Sequence, residues 1–318
     1  MEARERKALV RWYEANRRLL PWRVGCDPYA VWVSETMLQQ TRAAQAAGYF
    51  ERWMERFPTV FALASASEAE ALAAWQGLGY YRRCRMLLAA ARVCASCGFP
   101  CDLEGWRALP GVGRYTAGAV CSIALGMPEP VVDGNVERVF ARFTGCSHSG
   151  PGLNRAAWEW ADSVLDRRDP GRWNQALMEL GATVCTPRSA GCSSCPLVGG
   201  CAAFASGRVS DLPALRERPS VLERRFLWVA SVCGGRIGLR RFGPGEWWEG
   251  MWGLPEGSGG SRVGEVKFVV TRHRVRAEVL LDSSGSVGPG TRWFDVGSLE
   301  EVAIPTPHRR AICLALGG

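Results

Sequence analysis

The sequence predicts two domains of different class: a mostly α-helical half over residues 1–204 and a smaller α+β domain over residues 223–318, joined by a linker at 205–222. Three observations carry that expectation. A chain of 318 residues exceeds one typical domain and suits two. From residue 5 to about residue 204 the apolar pattern is helical, with short loops and few strand-like runs. Beyond 222, short β-rich segments alternate with glycine-rich turns.

In chain order, Asp27 and Pro28 supply an N-cap and a first-turn proline for a helix over 28–47. Leu103–Ala108 and Arg114–Leu125 read as two helices around a Pro-Gly turn. Val136, Val139, Phe140 and Phe143 recur at i, i+3, i+4 and i+7, the stripe of an amphipathic helix over 134–143. Ser206–Pro213 and the charged run to Pro219 form the linker. Phe226–Cys233 and Arg236–Arg241 are strands, Lys267–Leu281 is a longer one, and Thr306–Leu316 closes the chain as a helix. There is no internal repeat.

Composition bounds the function. Apolar residues make up 47%, which excludes global disorder. A net charge of +8 and a pI near 9.0 suit a polyanionic partner. No run of about 18 apolar residues exists to cross a membrane. Met1–Lys7 has mixed charge and no h-region or cleavage site, so a cytoplasmic protein is expected. A monomer is expected as well. Thirteen cysteines in a reducing compartment then point to metal or plain burial rather than to disulfides.

Four of those cysteines, Cys185, Cys192, Cys195 and Cys201, fall within 17 residues in a loop rich in Gly, Ser and Pro. Four thiolates suit either tetrahedral zinc or a [4Fe–4S] cluster. Their spacing is not that of paired CxxC knuckles, and it resembles the cluster loop of the endonuclease III superfamily of DNA glycosylases. Cys94, Cys97 and Cys101 lack a fourth ligand and read as helix-end and loop thiols.

Leu109-Pro110-Gly111-Val112-Gly113-Arg114-Tyr115 is a helix-hairpin-helix signature. Gly111 and Gly113 let the backbone turn tightly and approach a ligand. Amides at the start of the second helix then face outward with partial positive charge, which holds a phosphate without reading sequence. Bifunctional members of the superfamily place a nucleophilic lysine two residues after the last hairpin glycine. Tyr115 stands there instead, so no Schiff base forms and a monofunctional glycosylase is expected.

Glu35 lies one helical turn from Val31, Trp32 and Leu38, with no basic residue at i±3 or i±4. Apolar neighbours desolvate a carboxylate, raise its pKa and suit it to general acid work; the bland alternative is a salt-bridged surface glutamate. Asp133 precedes Gly134-Asn135-Val136 at a helix start. It reads either as an N-cap or as the carboxylate facing positive charge on a sugar, in the manner of sugar hydrolases.

Taken in order, Leu20-Pro21-Trp22-Arg23, the Glu35 helix with Leu38-Gln39-Gln40-Thr41, Gln76–Tyr81, the hairpin, Val132–Val136 and Glu179–Ala182 resemble the MutY family of adenine DNA glycosylases over residues 10–204. The resemblance implies a helix-hairpin-helix glycosylase half with an iron–sulfur loop, and a substrate of duplex DNA holding adenine opposite 8-oxoguanine or guanine. It implies that Glu35 protonates adenine at N7 and later handles the water, and that Asp133 stabilises the oxocarbenium ion or bonds to it covalently, with support from Tyr115 and Asn135. Arg18, Leu20, Trp22, Arg23 and Glu179 would line the pocket for the extruded base. Gln40, Thr41, Leu78 and Tyr80 would fill the base stack. Two rivals remain: a thymine or uracil mismatch glycosylase of the same superfamily, and a non-catalytic, cluster-bearing DNA-binding sensor.

Trp248–Pro255 resembles the start of the nudix-like domain that follows the catalytic half in this family. Residues 256–270 hold only Glu256 and Glu265 and no glycine-led magnesium helix, so that domain is expected to bind rather than hydrolyse. The family reads 8-oxoguanine there with Phe-Ser-His. Thr271-Arg272-His273 stands in its place, with His273 retained. Arg272, Arg274 and Arg276 alternate, which places them on one strand face and His273 on the other; the row reads as a phosphate contact, a reader of unmodified guanine or a solvated face, with Arg272 and His273 as the expected DNA contacts.

Overall fold

The computed structural model describes residues 1–214, 220–285 and 287–317. The expected linker's 215–219 portion lies outside them. Twelve helices precede the sheet among the described residues: α1 (Ala3–Asn16), α2 (Pro28–Leu38), α3 (Ala43–Arg56), α4 (Val60–Ser65), α5 (Glu68–Ala74), α6 (Arg82–Cys97), α7 (Leu103–Ala108), α8 (Arg114–Ile123), α9 (Gly134–Thr144), α10 (Gly150–Ser163), α11 (Pro170–Thr183) and α12 (Ala202–Ala205). None is long and apolar enough to cross a membrane.

Residues group into two compact units, Met1–Met54 with Ala90–Glu217, and Glu55–Ala89 with Arg218–Gly318. The first is helical. Its α9 stripe is buried as its spacing demands, Val136, Val139, Phe140 and Phe143 meeting Leu9 and Tyr13 of α1, Trp158 of α10 and Leu177 and Leu180 of α11. Each such side chain removed from water stabilises the fold by about 1.5–3 kcal/mol.

Helix α2 starts where the sequence places it, with the Asp27 carboxylate accepting from the amides of Tyr29 (3.3 Å) and Ala30 (3.1 Å). It stops at Leu38, so the expected 28–47 helix is two helices. Gln40 turns left-handed at φ 58°, which breaks the ladder before α3 resumes at Ala43. The second hairpin helix, α8, ends at Ile123, two residues short of the expected Leu125.

The second unit carries a mixed sheet: β1 (Leu222–Cys233), β2 (Arg236–Arg241), β3 (Trp252–Gly253), β4 (Ser261–Val270), β5 (His273–Asp282) and β6 (Thr291–Asp295), covered by α13 (Thr306–Ala315). Its order is β3-β2-β1-β5-β4, with β6 on β2; β1 and β5 run parallel and every other pair antiparallel. Trp228, Ile237, Leu239, Val266, Val279 and Ile312 are among its core. The single strand expected over 267–281 is a hairpin instead, with Val270 opposite His273 and Thr271 at φ 51°. Tight hairpin turns usually advertise themselves with Asn-Gly or Gly, and Thr-Arg carries no such signal.

Helices α4 and α5 belong to this second unit. Helix α5 packs on the 3₁₀ turn Val296–Glu301, and the Arg309 guanidinium donates to Gln76 Oε1 at 3.0 Å. The units are therefore not the continuous segments 1–204 and 223–318. A shift in composition marks where strands begin; it does not say which helices pack on them.

Candidate active site

The hairpin turn sets the start of α8, which carries one of the site's side chains. Asp102 caps α7 by accepting from the Gly105 amide at 2.7 Å, Gly111 adopts φ 75°, and Gly113 opens α8 with no side-chain cap. Free amides are thus left at the start of α8, the arrangement that attracts a phosphate. The same geometry presents Tyr115 from the first turn of α8 towards α2, which packs against it.

There the Tyr115 hydroxyl donates to Glu35 Oε2 at 2.6 Å. Glu35 is only 5% exposed on α2. Burial pushes its pKa up to about 7, while the Tyr115 bond opposes the rise and the charge of Asp133 adds to it. A carboxyl group poised there holds a proton near neutral pH. Burial also drives the Tyr115 hydroxyl well above its ordinary range, so it remains a donor.

Asp133 caps α9 and faces the same cavity, so its two readings coexist. Oδ1 accepts from the amides of Asn135 (2.9 Å) and Val136 (2.8 Å), and Oδ2 from Asn135 Nδ2 at 2.7 Å. Burial raises its pKa against those three bonds. Asn135 is held in turn by Arg138, whose guanidinium donates to Asn135 Oδ1 at 2.8 Å, to the Gly181 carbonyl at 2.8 Å and to the Cys185 carbonyl at 2.7 Å. Sequence reasoning missed Arg138; its place one turn after Asp133–Asn135 was the available signal.

A cavity of about 720 Å³ joins the two carboxylates. Arg18, Leu20, Trp22, Arg23, Glu179, Gln40, Thr41, Tyr115 and Asn135 all line it, so the structure gathers every residue expected for the pocket and the chemistry. Glu179 is fully buried and bridged by Arg18 (2.7 Å) and Arg23 (2.8 Å). Burial alone would raise its pKa, but the two guanidiniums outweigh it and hold the carboxyl down at about 2. Glu179 is therefore a fixed anion while Glu35 keeps its proton. Gln175, Met178 and Ala182 line the wall too, and none of the three was expected there. With Glu179 they sit at i, i+3, i+4 and i+7 on α11, a stride that marks them as one face.

The cysteine loop follows α11. Cys185, Cys192, Cys195 and Cys201 line one apolar cavity of about 30 Å³. Arg142, 3% exposed, donates to Cys185 Sγ at 3.4 Å and to the carbonyls of Thr186 (2.7 Å) and Leu212 (2.8 Å). Among the described residues no three His, Cys, Asp or Glu side chains converge on a position for one metal ion.

The remaining expected contacts lie elsewhere. Leu78 is buried and Tyr80 exposed at φ 47°, both in the second unit. Arg272 sits in the β4–β5 turn, so it does not share the strand face of Arg274 and Arg276. His273 is on the opposite face from those two, with its ring 5.2 Å from that of Trp247.

Residues 33–162 match the family model of HhH-GPD superfamily base excision DNA repair proteins. The chain is 44% identical over 235 residues to the adenine DNA glycosylase of Homo sapiens, a match covering 67% of this chain and 43% of that protein. It thus spans less than half the length of that relative. A thermostable thymine-DNA glycosylase shares its fold at a TM-score of 0.57 with 25% identity, over 64% of this chain and 97% of that one. Endonuclease III in a non-covalent DNA complex does so at 0.55 with 22% identity, over 65% and 99%.

Proposed function

We propose that this chain, which belongs through residues 33–162 to the HhH-GPD superfamily of base excision DNA repair proteins, is a monofunctional glycosylase hydrolysing the N-glycosidic bond of adenine mispaired with 8-oxoguanine or guanine in duplex DNA. One observation carries the reading: a buried carboxyl group, poised at a pKa of about 7, shares a cavity with a second carboxylate locked by three hydrogen bonds.

Adenine leaves poorly as an anion. Glu35 donates its proton to purine N7, the C1′–N9 bond breaks with its electrons on the base, and positive charge develops on the sugar. The Asp133 carboxylate faces that charge. Water then adds to C1′ and returns a proton to Glu35, leaving free adenine and an abasic site. Arg18, Leu20, Trp22, Arg23 and Glu179 hold the extruded base. Tyr115 orients the acid, Asn135 orients Asp133, and no side-chain amine stands at position 115 to open the strand. Gly111 and Gly113 hold the DNA backbone.

Cys185, Cys192, Cys195 and Cys201 would hold a [4Fe–4S] cluster, whose irons tie the 185–201 loop together through four thiolates when bound. Four thiols around one apolar cavity fit such a centre, and the buried Arg142 guanidinium, which donates to Cys185 Sγ, complements its negative charge.

A panel of A:8-oxoguanine, A:G, T:G and U:G duplexes, treated with protein and then hot alkali, tests the reading. Cleavage at adenine supports it. Cleavage only at thymine or uracil replaces it with the activity named for the thermostable neighbour, and turnover on none with a loaded cluster rejects catalysis.

A further inference from the structure

Between α5 and α6 the backbone takes positive φ at three of four successive residues, Gly77 (97°), Gly79 (69°) and Tyr80 (47°). Glycine adopts that region freely. A tyrosine there carries strain of about 1–3 kcal/mol, which persists only where its surroundings impose it. The strain does not serve burial: Tyr80 is 47% exposed, whereas its neighbour Leu78 is buried.

Arg83, in the first turn of α6, is what surrounds it. Its Nη2 donates to the carbonyls of Leu78 (3.2 Å) and Gly79 (3.4 Å), the two residues before Tyr80. Its amide donates to the Tyr80 carbonyl at 2.8 Å. The guanidinium carbon stands over the Tyr80 ring at 5.4 Å from its centroid and over the Trp75 ring at 5.5 Å. Trp75 Nε1 donates to the same Gly79 carbonyl at 3.1 Å. Burial pushes the pKa of Arg83 down to about 10, so the group is still a cation at neutral pH. One planar cation thus meets two rings and two carbonyls, a set that arginine's fork serves and lysine's single ammonium does not.

We propose that Arg83 is a positioning residue for DNA binding: it holds the Leu78–Tyr80 turn in its strained form before DNA arrives, so that the Tyr80 ring stands ready to stack on a base. A turn already ordered spares part of the ordering cost of association, so Arg83 acts on affinity through Tyr80 rather than by touching a phosphate. The inference rests on the reading that the substrate is a mispaired duplex, and it gives Arg83 no part in proton transfer.

The test is a double-mutant cycle on the full chain, with Kd measured for an A:8-oxoguanine duplex whose adenosine carries a 2′-fluoro group to block excision. Arg83→Met and Tyr80→Ala should each weaken binding roughly ten-fold, and the double variant should bind no worse than Tyr80→Ala alone. Arg83→Lys, which keeps the charge but not the fork, should also weaken binding, and it replaces the neutral variant in the cycle if that one fails to fold. The salt dependence of binding should stay as in the parent, because no phosphate contact is lost. Losses that multiply in the double variant, a salt slope reduced by about one, or an Arg83→Lys chain that binds like the parent overturns the proposal. Excision by the parent chain on an unmodified duplex shows separately whether the glycosylase reading stands.

Discussion

At the scale of single residues, the site works by holding two glutamates apart in proton affinity. Glu35 sits at about 7 and Glu179 at about 2, one among apolar neighbours and the other between two guanidiniums. Excision should therefore fall as pH rises through about 7 in the free enzyme, read from single-turnover rates. The Tyr115 hydroxyl stabilises the ionised form of Glu35, so Tyr115→Phe should move that alkaline limb to higher pH; a limb that stays put or moves down contradicts the assignment. A stability effect follows from the same shift. A folded-state pKa raised above the unfolded value of 4.5 favours the folded state below that value, and the advantage is lost as pH rises through about 7. Glu35→Gln, though inactive, should match the parent near pH 4.5 and exceed it at pH 8 by on the order of 3 kcal/mol in denaturant titrations. Glu35 was readable in the sequence because its helix neighbours are local. Its bond to Tyr115, 80 positions away, was not, since only the packing of α2 on α8 creates it.

Among elements, local chemistry was legible wherever it was self-sufficient. Asp27 and Pro28 announce α2, the glycine hairpin announces α7 and α8, and the apolar stripe announces α9. Two of the misses fall where a residue other than glycine takes positive φ. Gln40 divides a helix and Thr271 closes a hairpin, and the third such residue is Tyr80. Tertiary structure imposes such conformations at a cost of order 1–3 kcal/mol each, so propensity does not foretell them. Close approach of elements is likewise invisible in one dimension. Helix α11 lies so near the start of α9 that a Cβ added at Gly181 would stand 2.6 Å from Asn135 Cβ and 2.9 Å from its carbonyl oxygen. Gly181→Ala should push Asn135 off Asp133, lowering the excision rate at least ten-fold and stability by about 1–3 kcal/mol. A loss confined to KM, with the single-turnover rate intact, would show that Asn135 had not moved.

For the whole molecule, the most consequential feature is that the second unit is assembled from two separated stretches, Glu55–Ala89 and Arg218–Gly318. A break in composition near residue 222 suggests a catalytic half that ends there and stands alone. The contacts argue otherwise. Gln76 accepts from Arg309, helix α5 packs on the turn at Val296–Glu301, and the Cβ position of Gly250 lies 3.0 Å from both Arg85 and Glu68. A chain ending at residue 217 keeps α4 and α5 but removes the sheet unit with which they pack, exposing apolar surface and leaving Arg85 and Gln76 without these neighbours. That truncation should lower the midpoint of thermal unfolding by about 5–10 °C, the equivalent of a few kcal/mol in a domain of this size. It should also increase protease cutting within 55–89. Circular dichroism and limited proteolysis on both chains decide the matter. An unchanged midpoint with 55–89 still protected would mean that these helices hold their fold without the sheet.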